Sequence, residues 1–175
     1  GIAALNARQV QAMNALPGAL WPGPAGGGSI TAPRGVLIAG DLTDSGGEGE
    51  WDEFAKQYGL TGRDSPLKYP VFECTGNHDR HRLIYRPVID RVKSRHGGSL
   101  LYSWNWDDVH VVCLDLYPDA AALRWLRRDL AAVDRAAPVV IFFHYSILGP
   151  FSEWWSDRER DAFAEAIQGY NVVAL

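Results

Sequence analysis

Two short strings in this chain combine residue types that hold cations and move protons: Gly40-Asp41-Leu42-Thr43-Asp44 and Gly76-Asn77-His78-Asp79. An Asp carboxylate bridges hard or borderline cations, and an Asn amide offers a neutral oxygen ligand, so Asp41 and Asn77 are candidate metal ligands. A carboxylate bridge helps hold two ions about 3.5 to 4 Å apart, where they activate one water and stabilise a phosphoryl oxygen. His78 titrates near neutrality and suits a proton donor, with Asp79 beside it to orient the ring and favour its charged form. Each string also has a plainer reading. Gly-Asp after a strand commonly makes a turn and a helix cap, and Asn-His can be a loop with a surface histidine. Asp44 reads as a brace of its turn.

The elements before these strings decide between the readings. Residues 35–39 and 70–75 are apolar runs that predict buried strands, each ending at one of the strings. Open α/β sheets build their sites at such strand ends. A third apolar run, residues 138–143, ends in His144-Tyr145-Ser146. One strand-end histidine is usually a satisfied polar group. Three chemically equipped strand ends in order point to a dinuclear metal site.

On these blocks the chain resembles the calcineurin-like metallophosphoesterase superfamily. That family carries an ordered series of strand-end motifs: Asp-x-His, Gly-Asp-x-x-Asp, Gly-Asn-His-Asp or Glu, a lone His, then Gly-His-x-His. Three consecutive blocks match, at residues 40–44, 76–79 and 144. Tyr102-Ser103-Trp104 followed by residues 109–115 also resembles the family's strand pair between the third and fourth blocks, more weakly. The resemblance implies a mixed two-sheet α/β sandwich flanked by helices, in four layers α/β/β/α. It implies Asp41, Asn77 and His144 as metal ligands, His78 as general acid and Asp79 as its orienting partner. Two metal ions, Mn, Fe or Zn, are the implied cofactors, and a phosphate mono- or diester is the implied substrate. Hydrolysis would proceed through a metal-activated hydroxide. The alternative is a binding or scaffold module of the same fold with incomplete metal occupancy.

The first and last family blocks have no counterpart here, and both would fall at the ends of the chain. The chain opens with Gly1-Ile2 and stops within the apolar residues 171–175. The expectation is therefore one domain, residues 1–175, incomplete at both termini and weakly active or inactive alone. By the family pattern, Asp41, Asn77 and His144 supply one metal with all but one protein ligand, and the other metal keeps only Asp41.

Length and composition agree with a single globular domain. At 175 residues, 47% hydrophobic and 22% charged, the chain suits one core, and no apolar stretch approaches the roughly 20 residues that span a bilayer. A net charge of −4 and a pI near 5.7 argue against a generic nucleic-acid surface. Arg80, His81, Arg82, Arg86, Arg91, Lys93 and Arg95 form one basic cluster. It reads as a solvated helix face, or as a source of a phosphate contact through Arg80 or His81. Cys74 and Cys113 read as buried thiols, not a disulfide framework. Compartment and oligomeric state stay open.

The remaining pattern places the motifs among helices. Residues 6–16 predict a helix capped at Asn6 with Gln9 in capping-box spacing, and Val10 and Met13 on one side. Residues 17–33 form a Gly/Pro-rich mobile connection without the Lys and Ser/Thr of a P-loop. Trp51, Phe54, Ala55 and Tyr58 recur at helical spacing over residues 50–58, predicting an apolar stripe on the sheet. Ile84, Val88 and Val92 mark another helix, and Leu123, Leu126, Leu130 and Val133 a longer one. Residues 100–106 and 109–114 predict a hairpin turning at Asp107-Asp108. Residues 161–167 predict a last helix, with Phe163 and Ile167 inward. Trp154 and Trp155, beyond His144, read first as packing. The rival reading is a stacking surface for a nucleoside or aryl leaving group.

Overall fold

The computed structural model describes residues 2–80 and 85–175. The expectations placed on His81, Arg82 and Ile84 lie outside the described residues. The class is the one expected, a mixed α/β fold with two sheets and, among the described residues, five α-helices. The chain divides into two compact units, Gly1–Ile38 with Gly47–Phe72, and Ala39–Gly46 with Glu73–Leu175.

The smaller unit contains helix α1 (Ile2–Asn14), strand β1 (Val36–Ile38), helix α2 (Glu48–Tyr58) and the start of strand β2 (Val71–Glu73), with β1 and β2 paired in a two-stranded sheet. Its α1 begins before Asn6, so Asn6 is interior to the helix and not its cap. Gln9 is engaged elsewhere: its side-chain oxygen accepts a hydrogen bond from the Tyr58 hydroxyl at 2.9 Å. The stripe of α2 is real, with Phe54 and Tyr58 buried and their rings stacked at 4.9 Å, and through Tyr58 it meets α1. The Gly/Pro-rich segment is closed on itself. Trp21 donates to the Gly28 carbonyl at 2.8 Å and Ile30 to the Ala19 carbonyl at 2.7 Å, which satisfies backbone groups within the loop.

In the larger unit, β3 (Tyr102–Trp106) pairs antiparallel with β4 (Val109–Cys113), which runs parallel to β5 (Pro138–Phe142), itself parallel to β6 (Asn171–Ala174). The predicted hairpin turns where expected, with Asp107 at φ 55°. Val111, Val112, Cys113 and the following Leu114 are all buried, as a central strand covered on both faces requires. One core is built from Val112, Leu114, Val139 and Ile141 with helix α4 (Ala120–Leu130) and helix α5 (Asp157–Ile167), through Leu123, Leu126, Leu130, Phe163 and Ala166. Helix α5 starts four residues before the predicted 161. Ser156 accepts from the Glu159 N–H and Glu159 returns to the Ser156 N–H at 2.8 Å, a capping box that fixes the start.

Helix α3 (Tyr85–Arg95) buries Val88 and Val92 and carries much of the basic cluster. That cluster is not simply solvated. Arg91 Nε and Arg95 Nη2 donate to Glu73 Oε1 at 2.8 and 2.5 Å, and Glu73 is fully buried. Two guanidinium groups converge there on one carboxylate. Cys74 and Cys113 are free and buried, and burial pushes the Cys74 thiol up.

Candidate metal centre

Glycine brings the three strand ends together. Gly40 sits at φ 83°, and a Cβ there would lie 2.7 Å from both the Gly76 nitrogen and His144 Nδ1. A Cβ on Gly76 would strike the Asp41 backbone and carboxylate. Both glycines are therefore required for close approach, beyond the turn that Gly-Asp alone would explain. Asp41 itself holds φ 51°, a left-handed conformation that Asp and Asn tolerate better than other side chains.

Asp41, Asn77, His78 and His144 line one side of a single cavity of about 360 Å³. Asp41 Oδ1 accepts the His78 backbone N–H at 3.1 Å and lies 3.5 Å from His144 Nε2. His144 Nε2 lies 2.9 Å from Asn77 Oδ1, while its Nδ1 meets the Ala39 carbonyl at 2.7 Å. A carbonyl can only accept, so Nδ1 carries a proton; Nε2 lies against two acceptor oxygens and offers them a lone pair only in the neutral ring. Asn77 Oδ1 and Asp41 Oδ1 both approach His144 Nε2. A ring fixed by a backbone carbonyl through one nitrogen, with the other turned to ligand oxygens, is the usual support of a metal-binding histidine.

Asp79 does a different job from the one its sequence position suggested. It is fully buried, and its carboxylate accepts from Leu42 N at 3.1 Å, Thr43 N at 3.0 Å, Thr43 Oγ1 at 3.2 Å and Gly76 N at 2.9 Å. It stitches the first string to the second. Burial raises its pKa, and these hydrogen bonds oppose the rise. The His78 ring is instead positioned by the Asp44 carbonyl against its Nδ1. That carbonyl, then the Asp41 charge, and more weakly the charge of Asp79, raise the His78 pKa above its ordinary value.

A further carboxylate, Asp115, supports the centre from behind. Its Oδ1 accepts from Thr75 N at 3.0 Å and Thr75 Oγ1 at 2.7 Å, its Oδ2 from Arg80 Nη2 at 2.5 Å, and its backbone oxygen from His144 N at 3.0 Å. Asp115 thus ties the second string to the third at φ 60°. Arg80, considered from sequence as a phosphate contact, has its guanidinium turned to Asp115 and Thr75. The available signal for Asp115 was an acid closing another apolar run, residues 109–114.

The sequence matches the calcineurin-like phosphoesterase family model over residues 28–174. The chain belongs to the calcineurin-like phosphoesterase family. No curated protein sequence matches it. The family's chemistry is metal-dependent hydrolysis of phosphoesters, so the family reading and the centre's geometry bear on each other. Among the described residues no three His, Cys, Asp or Glu side chains group as a metal site. The convergent set here is one His, one Asp and the neutral oxygen of Asn77. Nitrogen and oxygen donors of these kinds, gathered with two oxygens at 2.9 and 3.5 Å from His144 Nε2, are compatible with a bound metal ion. No helix among the described residues is long and apolar enough to cross a membrane.

Proposed function

We propose that this phosphoesterase-family chain, as one domain, carries the site of phosphate mono- or diester hydrolysis at the cavity lined by Asp41, Asn77, His78 and His144, with weak turnover in these 175 residues alone. Asp41, Asn77 and His144 would hold one metal ion, with Asp41 as the carboxylate shared with a second. Bound there, Mn, Fe or Zn ions would supply an activated water and charge against the phosphoryl oxygens. The single observation that carries the reading is the convergence of Asn77 Oδ1 at 2.9 Å and Asp41 Oδ1 at 3.5 Å on His144 Nε2, with His144 Nδ1 committed to Ala39.

The chain's own residues take defined parts. The Ala39 carbonyl keeps His144 in the tautomer that binds. Asp41 lines the cavity in its left-handed turn and accepts the His78 N–H. His78 carries its proton at higher pH than an ordinary histidine, through Asp44 and Asp41, and delivers it to the departing alkoxide oxygen. Asp79 and Asp115 position these groups and touch no substrate atom.

Calorimetric titration with Mn(II), beside a phosphoester panel with metals restored, tests the reading. The His144→Ala variant removes a ligand outright and is expected to lose at least about tenfold in Mn(II) affinity, the scale that loss of a ligand's supporting partner alone would cost. Hydrolysis should fall with it. Unchanged Mn(II) binding in His144→Ala would sink the ligand assignment. Mn(II) binding with no ester in the panel cleaved would leave a non-catalytic binding module.

A further inference from the structure

We propose that Tyr145, Phe151 and Trp154 form a stacking subsite for a planar aromatic group on the leaving alcohol of the substrate, an inference that rests on the phosphoesterase reading above. The three side chains line the same cavity as Asp41 and His78. An ester whose phosphate meets the convergent ligands therefore has its alcohol half within reach of this wall. A cavity of about 360 Å³ is in the range that takes a small aromatic phosphoester.

The two adjacent tryptophans have separated into different roles. Trp155 is 3% exposed, lies in the core with Phe163, and donates its indole N–H to the Tyr145 carbonyl at 3.2 Å. Packing accounts for it. Trp154 is 58% exposed and stacks on Tyr145 with ring centroids 5.1 Å apart and planes 15° apart. One face of its ring is covered by Tyr145. Phe151 is 69% exposed and held at φ 66°. A bulky residue in the left-handed region is a conformational outlier, and such strain gathers at ligand sites.

The segment is fixed from behind, so the wall does not need to be ordered by its ligand. Arg160 Nη2 donates to the Ser152 carbonyl at 2.6 Å, and Trp155 N–H to the Ser152 carbonyl at 3.1 Å. Exposed aromatic rings beside a polar centre, on a backbone anchored at Ser152, suit a flat, apolar group that stacks on them. A nucleobase and a simple aryl ring share that chemistry.

The test compares naphthyl phosphate, adenosine 5′-phosphate and butyl phosphate as substrates of the metal-restored protein and its Trp154→Ala and Trp154→Phe variants, with Leu148→Ala as an exposed control outside the cavity. Binding of naphthylmethylphosphonate and butylphosphonate by calorimetry provides a readout independent of turnover. In Trp154→Ala, KM for naphthyl phosphate and Kd for its phosphonate should rise about tenfold, with butyl ligands changed by less than about twofold and Trp154→Phe restoring most of the loss. A matching rise for adenosine 5′-phosphate assigns the subsite to any flat ring, and a larger one assigns it to a nucleobase. Equal changes for naphthyl and butyl ligands, or none for naphthyl, overturn the subsite, while cleavage of either ester keeps the phosphoesterase reading. Trp154-dependent phosphonate binding with no ester cleaved overturns that reading and leaves the subsite standing.

Discussion

Two polar clusters in the larger unit treat charge in opposite ways. Around Glu73, one buried carboxylate is closed in by Arg91 and Arg95, with the Tyr102 hydroxyl donating to its backbone oxygen at 2.8 Å. Around His144, the acceptors Asn77 Oδ1 and Asp41 Oδ1 face Nε2 on the wall of an open cavity. Each cluster has a histidine with a shifted pKa, and the two move apart: His78 is raised, while His96, stacked on Tyr102, is lowered to about 4. Buried charge met by opposite charge within the chain holds the fold. Acceptors that converge at a surface cavity are arranged for a cation and a substrate from outside.

Exchanging a carboxylate for its amide in each cluster gives the largest contrast. Glu73→Gln leaves two guanidinium groups facing a neutral partner, one of them on a side chain 7% exposed. Breaking such a pair from one side should cost about 3 to 5 kcal/mol of unfolding free energy. Asp41→Asn keeps an acceptor for the His78 N–H and a residue that tolerates φ 51°. It should stay within about 0.5 kcal/mol of the parent while abolishing most Mn(II) binding. Urea unfolding with metal removed measures both. A large loss from Asp41→Asn and a small one from Glu73→Gln would reverse the assignment of the clusters.

The histidine of the open cluster is the next lever. His78→Ala should lower kcat about 10²-fold or more for alkyl esters, with a smaller loss for nitrophenyl esters, whose leaving group needs no proton. Steady-state rates on the two esters at saturating metal measure it. An equal loss for both would remove the general-acid role and leave His78 as a positioning group beside Asp41.

What was legible in the sequence was the part set by local pattern. Apolar runs located β1, β2 and β5, and each of the three candidate ligands follows the end of one of them. The hairpin at Asp107-Asp108 followed from alternation and turn chemistry. What the sequence did not disclose depended on partners distant along the chain. Asp79 sits beside His78, so adjacency suggested a dyad, but its carboxylate is taken by backbone donors of residues 42 and 43. Arg80 looked available to a phosphate, and Asp115, 35 residues away, takes its charge. Asn6 and Gln9 had capping-box spacing, yet the buried Tyr58 hydroxyl engages Gln9. Gly40 and Gly76 were legible as turn formers, whereas the steric reason for them appears only when three strand ends meet.

The smallest expected effect concerns His96. Burial first, and then the Arg95 charge, lower its pKa from the usual 6.5 to about 4. Its Nε2 is buried without a hydrogen-bond partner among the described residues, and its ring lies 3.4 Å from that of Tyr102. The folded state therefore disfavours the imidazolium, while the unfolded chain binds that proton below about pH 6.5. Between pH 6.5 and 4 the unfolded state holds more protons, so unfolding free energy falls as the solution is acidified and recovers as pH rises. His78 acts with the opposite sign, since its raised pKa favours the folded state below 6.5 and that contribution is lost as pH increases through its folded value. The variant that isolates His96 is His96→Phe, which keeps a ring on Tyr102 and removes the titration. On going from pH 7 to pH 5, the urea midpoint of His96→Phe should fall less, or rise more, than that of the parent. The difference should be small, because the ring is only half-buried and water screens its charge. An unchanged pH dependence would show that the closed cluster accommodates a proton at His96, and the two histidines would no longer distinguish the closed cluster from the open one.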